Sequence, residues 1–124
     1  MKLLLAAFAG CVLAAALPVA GCAPPKPLTQ AQRGKVIYRQ NCISCHNENP
    51  RLPGSVGPPI AGSPRALLRA RLIHDSYPRG YHPKRHTHIM RSMPWLAPHI
   101  GEIAAYLALA AHPAPSPSAL QAIR

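Results

Sequence analysis

Sixteen prolines in 124 residues leave this chain few uninterrupted runs in which regular structure can form. Proline removes a backbone donor and fixes φ, so it belongs outside helix interiors and central strands. The runs between the prolines carry helical patterns. Thr29-Gln30-Ala31-Gln32 has the form of a capping box, with Thr29 as N-cap and Gln32 at the third helical position. A helix from about Gln30 to Asn41 sets Gly34, Ile37, Tyr38 and Asn41 on one face. Ser63 followed by Pro64 starts a second helix, PRALLRARLIHD, with Leu67, Leu68, Ala70, Leu72 and Ile73 as its apolar positions. Pro98 opens a last helix to about Ala111, whose stripe is Ile100, Ile103, Ala104, Leu107 and Ala110. Asn47 to Gly62 is rich in Asn, Pro and Gly and reads as loop. Tyr77 to Pro94 reads as a wrapping loop with one turn of helix at most. No strand pattern and no internal repeat is present, so the expected fold is all-α, with long loops.

Such a domain is short of apolar bulk, since only 5% of its residues are aromatic. Domains of this size commonly complete their cores with a staple, a metal or a cofactor. The stretch NCISCHN offers one. Cys42-x-x-Cys45-His46 follows the first helix and can be read in three ways. A thioredoxin-like redox pair would open a helix after a strand, and nothing before Cys42 reads as a strand. A structural zinc site wants four ligands, and no cysteine follows Cys45, although histidines are plentiful. The third reading is covalent haem attachment, in which each thiol adds to a haem vinyl group and His46 becomes the fifth iron ligand.

The first residues point to export. Lys2 precedes an apolar run from Leu3 to Leu17, broken by Pro18, which has the form of a secretory signal rather than of a spanning helix. Val19-Ala20-Gly21-Cys22 resembles a bacterial lipobox, which implies cleavage before Cys22 and a lipid on its thiol; ordinary cleavage nearby is the plainer alternative. The expected organisation is a lipoprotein signal peptide over 1–21, a proline-rich tether over 22–28, one domain over 29–111 and a proline-rich tail over 112–124. Cys11 lies inside the signal. The mature protein is expected on the periplasmic side of a bacterial membrane, held there through Cys22.

A haem c site needs further parts, and they follow in order along the chain. GKVIYRQNCISCHN, VGPPIAG and SMPWLAPHIGEIAAYLALA together resemble class I c-type cytochromes over roughly Thr29 to Ala111. The resemblance implies a cytochrome c fold, three to four short helices wrapped around one covalently bound haem, and one iron. It implies that Cys42 and Cys45 are the thioether anchors and His46 the proximal ligand. Pro58, or Pro59 in the other register, would present the carbonyl that fixes the His46 tautomer. Met93, followed by Pro94 and Trp95, stands where the family's distal ligand stands, with Met90 as second choice. Pro58, Trp95 and Tyr106 are the expected haem-contacting residues. Gly34 and Tyr38, with Tyr106 and Leu107, match the place where the first and last helices cross.

Other readings remain open on the residues. His82, His86 or His88 could serve as a bis-histidine ligand, or the sixth position could be open, and either would suit a sensor. The same histidines with Met90 and Met93 would suit a copper-binding lipoprotein, though copper has no need of the CxxCH. With His46 and a methionine on the iron no site is left for substrate, so the expected role is electron carriage and not catalysis. The acidic residues Glu48, Asp75 and Glu102 are isolated and offer no general base. A haem subunit of one periplasmic dehydrogenase or oxidase is the alternative within electron transfer. Fourteen Lys+Arg against three Asp+Glu, a net charge of +11, suits an acidic redox partner or an anionic lipid surface. Nucleic acid is not expected as a partner of an exported lipoprotein. The cations Arg51, Arg65, Arg69, Arg71, Arg79, Lys84, Arg85 and Arg91, spread along the chain with no long basic run, are expected to ring a haem edge or cover a face.

Overall fold

The computed structural model describes residues 24–113; the signal, Cys11, Cys22 and the far tail lie outside them. Three α-helices follow in order: α1, Gln30–Asn41; α2, Arg65–His74; and α3, Ile100–Ala111, preceded by a 3-10 segment at Pro94–His99. Among the described residues there is no strand.

Helix α1 begins where its capping chemistry puts it. The Gln32 backbone N–H donates to Thr29 Oγ1 at 3.2 Å, and the Thr29 N–H donates to Gln32 Oε1 at 2.8 Å. Two of the helix's orphan donors are thereby satisfied reciprocally. Helix α2 starts one residue later than expected. Pro64 sits in the extended region (φ −74°, ψ 158°) as N-cap, and its carbonyl accepts from the Leu68 N–H at 3.1 Å. The helix ends at Asp75, the one non-glycine residue with positive φ (46°) among those described. Aspartate tolerates this left-handed conformation better than most residues. Helix α3 also starts later than expected, at Ile100, because Pro94–His99 coils more tightly and absorbs Pro98 within a 3-10 turn.

The core is small. Tyr38, Leu68, Leu72, Leu96, Ile100, Ile103 and Leu107 form it, with Tyr38 and Leu107 fully buried. It is built around the crossing of α1 and α3, where Gly34 lies against the Glu102 carbonyl and Tyr106. Tyr38 meets Tyr106 there, with ring centres 5.3 Å apart and planes tilted by 54°, an attractive arrangement for two aromatic quadrupoles. The Tyr38 hydroxyl donates to the Asn47 carbonyl at 2.6 Å, joining the crossing to the loop after His46. Burial, with Cys42 and Tyr106 nearby, holds that phenol well above its ordinary range, so it stays a donor. The loop also reaches α3 directly, through the Gly62 N–H on the Leu107 carbonyl at 2.8 Å.

At the exposed edge of the crossing, Glu102 binds Arg33 at 2.5 Å and His99 at 2.9 Å. Hydrogen bonds from these two groups hold its carboxyl below the ordinary value of 4.5. A carboxyl depressed by folding stabilises the fold above its unfolded pKa, and that stabilisation is lost as pH falls through the folded value. Thermal unfolding from pH 6 down to pH 3 is therefore expected to show a smaller loss of Tm for Glu102→Gln than for the parent. Equal pH profiles would remove Glu102 from the acid response.

Candidate haem site

The proximal side is assembled by the turn that ends α1. The Cys45 and His46 N–H groups both donate to the Cys42 carbonyl, at 3.2 and 2.9 Å, which curls the CxxCH segment onto itself. The Cys45 carbonyl then accepts from Val56 and Gly57, at 3.2 and 2.8 Å, which closes the loop 47–57 back over the motif. Glycine is required at both ends of that closure. A Cβ on Gly54 would fall on the Cys45 carbonyl oxygen and 2.6 Å from the His46 backbone, and one on Gly57 would fall on His46 Nδ1.

His46 is held in this cradle at 8% exposure. Its Nδ1 lies 2.9 Å from the Pro58 carbonyl oxygen. A carbonyl can only accept, so Nδ1 carries the proton and Nε2 keeps its lone pair. Of the two prolines, Pro58 is the one whose carbonyl meets Nδ1, and the Pro59 carbonyl accepts from Lys84 Nζ at 2.8 Å. Cys42 and Cys45 are both free thiols. Burial, then the neighbouring Cys45, pushes the Cys42 thiol up to about 11, so it is neutral at physiological pH.

His46 and Cys45 line a cleft of about 860 Å³, counted out to solvent at its mouth. Apolar side chains make most of its wall, from Val56 and Ile60 on the proximal loop, Leu67, Leu68 and Leu72 on α2, and Ile89 on the distal loop. Three cations, Arg71, Lys84 and Arg85, also line it, and no carboxylate does. Lys84 and Arg85 cross from the distal loop to donate to the proximal carbonyls of Pro59 and Val56. Tyr77 and Tyr81 stack nearly parallel, 5.4 Å between centres, at the same wall.

The expected site residues divide. Cys45, His46, Pro58 and Met90 meet in the cleft. Met93, the first choice for the distal ligand, is not among the lining residues. It packs against the core, its N–H donating to the Leu72 carbonyl at 2.6 Å, so its backbone is fixed beside α2. Trp95, expected to touch haem, is 63% exposed and lies outside the lining. A 3-10 turn starting at Pro94 carries it onto the outer surface while burying Leu96. Tyr106 is at the helix crossing, against Tyr38, and also outside the lining. Cys42 packs against the core at the foot of α1. His82, His86 and His88 are all exposed and none lines the cleft. Among the described residues no group of three His, Cys, Asp or Glu side chains is placed to hold a metal ion. Arg71 is the residue that sequence reasoning undervalued. It falls three and four positions from Leu68 and Leu67, on the stripe that α2 buries, which sets it apart from the other cations of the chain.

The residues present fit a haem. A tautomer-locked imidazole, a thioether and the Cys45 thiol share one cleft, the second free thiol, Cys42, stands three residues before Cys45, the walls are apolar, and the cations suit a ligand bearing carboxylates. An all-helical domain with these parts is a c-type cytochrome. The family described as cytochrome c oxidase, cbb3-type, subunit III matches residues 29–107, and the chain belongs to it. No curated protein and no solved structure matches the chain. The domain thus carries a covalently bound haem c with its iron and is an electron-transfer module. No helix among the described residues is long and apolar enough to cross a membrane.

Proposed function

We propose that Cys42 and Cys45 hold the haem through thioethers, that His46 Nε2 is the fifth ligand and that the Met90 sulfur is the sixth. The observation that carries this reading is the shared cleft of His46 and Met90, with His46 Nδ1 already engaged by Pro58. Met93 is the second choice, reversing the order that the Met-Pro sequence suggests. Bound haem supplies a one-electron Fe(III)/Fe(II) couple. The chain's own part is to fix two neutral ligands of unequal softness and to keep water from them. The thioether favours Fe(II) and so raises the potential relative to two imidazoles. With His46 and a methionine both committed to the iron, the protein would pass single electrons and perform no chemistry on a substrate.

The partner in this reading is acidic, drawn by the cations of a chain with net charge +11 in a salt-sensitive encounter. The protein works on the periplasmic side, tethered through a lipid on Cys22. Loss of radiolabelled palmitate from Cys22→Ser, against incorporation in the parent, is the expected result for the tether. A second reading, a haem subunit delivering electrons within an oxidase, is favoured by the family's description. Stable co-purification with an oxidase core in detergent would carry it over a freely diffusing carrier.

The test of the ligand set is the optical spectrum of the chain matured with haem. A weak far-red sulfur-to-iron band is expected in the oxidised protein, lost in Met90→Ala and retained in Met93→Ala, with a lower potential for the Met90 variant. The opposite pattern would return the sixth position to Met93. A band absent from the parent would leave a histidine ligand or an open site, and with it the sensor function.

A further inference from the structure

Arg65 and Arg69 are cations without a counter-charge from their own chain. The chain has three carboxylate side chains, and each is engaged elsewhere: Glu48 by Arg39, Asp75 by Arg71, and Glu102 by Arg33 and His99. Arg65 and Arg69 stand one turn apart on α2, and both are exposed. They line a groove of about 580 Å³, counted out to solvent, whose other wall is Ala97, Pro98 and the start of α3. This groove shares no residue with the haem cleft.

The groove sits where the tether enters the domain. Arg33 donates to the Leu28 carbonyl at 2.6 Å and binds Glu102 through the same side chain, so the last tether residue is pinned beside the start of α3. Gln30, the first residue of α1, and Arg65 both reach Gly101. A Cβ there would fall on Arg65 Nη2 and lie 3.2 Å from Gln30 Nε2. The seven residues from Cys22 to Thr29 can span at most about 25 Å. A lipid on Cys22 therefore keeps this end of the domain near the bilayer surface, whichever way the rest turns. Trp95, 63% exposed, stands three residues before Pro98 in the same 3-10 segment, where side chains three apart eclipse. An indole beside cations suits the headgroup layer, which accommodates both its apolar ring and its N–H. We propose that the groove of Arg65 and Arg69 is a docking surface for anionic phospholipid headgroups, whose phosphates the two guanidinium forks receive. Docking there would hold the domain, and its haem, in one orientation on the membrane. The proposal rests on the lipid tether at Cys22.

The haem reports that orientation, because a planar chromophore fixed relative to a bilayer absorbs polarised light unequally. The lipidated, haem-loaded chain is placed on supported bilayers of phosphatidylcholine, with and without phosphatidylglycerol. The parent is expected to show haem dichroism on the anionic bilayers only. It is expected to lose it at about 1 M salt, where the Debye length falls to about 3 Å. In Arg65→Gln or Arg69→Gln the ratio of oriented to tumbling domain is expected to fall about fivefold, and in the double variant about 25-fold, the scale of one cation at an anionic surface. Both side chains are exposed, so the haem spectrum is expected to stay as in the parent. Arg51→Gln combined with Arg79→Gln removes the same charge elsewhere and is expected to keep the parent's dichroism. No dichroism in the parent on anionic bilayers, or equal dichroism in the Arg65 and Arg69 double variant, would overturn the proposal and return the two arginines to an acidic protein partner. An equal loss in the Arg51 and Arg79 variant would also overturn it, by making the effect one of net charge. A parent that does not bind phosphatidylcholine bilayers at all would overturn the tether, and the docking surface with it.

Discussion

Gly34→Ala is expected to destabilise the domain by at least about 2 kcal/mol and to lower Tm by roughly 10 °C. In an exposed helix the same change would stabilise by up to about 1 kcal/mol, since alanine is the better helix former. Here the added Cβ would land on the Glu102 carbonyl oxygen, 2.5 Å from its carbon and 3.0 Å from the Tyr106 Cβ. The obstacle is α3 backbone, which cannot rotate aside as a side chain can, so the two helices must separate. Separation opens the Tyr38–Tyr106 contact and loosens the core that the described residues form. Thermal unfolding by circular dichroism gives the answer, and an alanine variant with the parent's Tm would mean that the crossing is not a tight one.

Gly57→Ala is expected to weaken the proximal ligand without a comparable loss of fold. Its Cβ would meet the His46 imidazole at Nδ1 and lie 2.5 Å from Cε1. Either the ring turns, breaking the bond to Pro58, or the loop 54–59 swings outward and carries the Pro58 carbonyl away. Both outcomes remove the group that fixes the tautomer and raises imidazole basicity. Losses of such outer partners commonly cost about 10–100-fold in metal affinity. A proton competes with iron for Nε2, so weaker ligation moves the acid release of His46 to higher pH. For one proton, 10–100-fold corresponds to a midpoint about 1–2 pH units higher, read as the loss of the low-spin spectrum during acid titration. An unchanged midpoint would show that the cradle around His46 has slack.

The two glycines differ in how far their roles could be read beforehand. Gly34 stands four residues before Tyr38 on a helix, and its place at the crossing was legible from that spacing and from the resemblance. Gly57 was seen only as part of VGPPIAG, because its contact with His46 joins residues eleven apart through a loop with no periodic signal.

Local chemistry alone determined much of this protein. The start of α1 is written in Thr29 and Gln32, whose reciprocal bonds form within four residues, and the CxxCH turn closes on its own Cys42 carbonyl. The apolar stripes of α2 and α3 state which faces are buried, since helical periodicity does not depend on what the face meets. Tertiary structure decided the rest. The Met-Pro context favours Met93 over Met90 in the sequence, whereas Met90 is the methionine that lines the cleft, on a returning loop tethered to α2 at both residues. Trp95, expected as a haem wall, lies exposed on the 3-10 turn that follows Met93. Arg71 looked like one cation among many until its fork met Asp75, Tyr77 and the Met90 carbonyl. Bonds that close within one turn of chain can be read from neighbours, whereas the path of a long loop is set by the partners it finds across the fold.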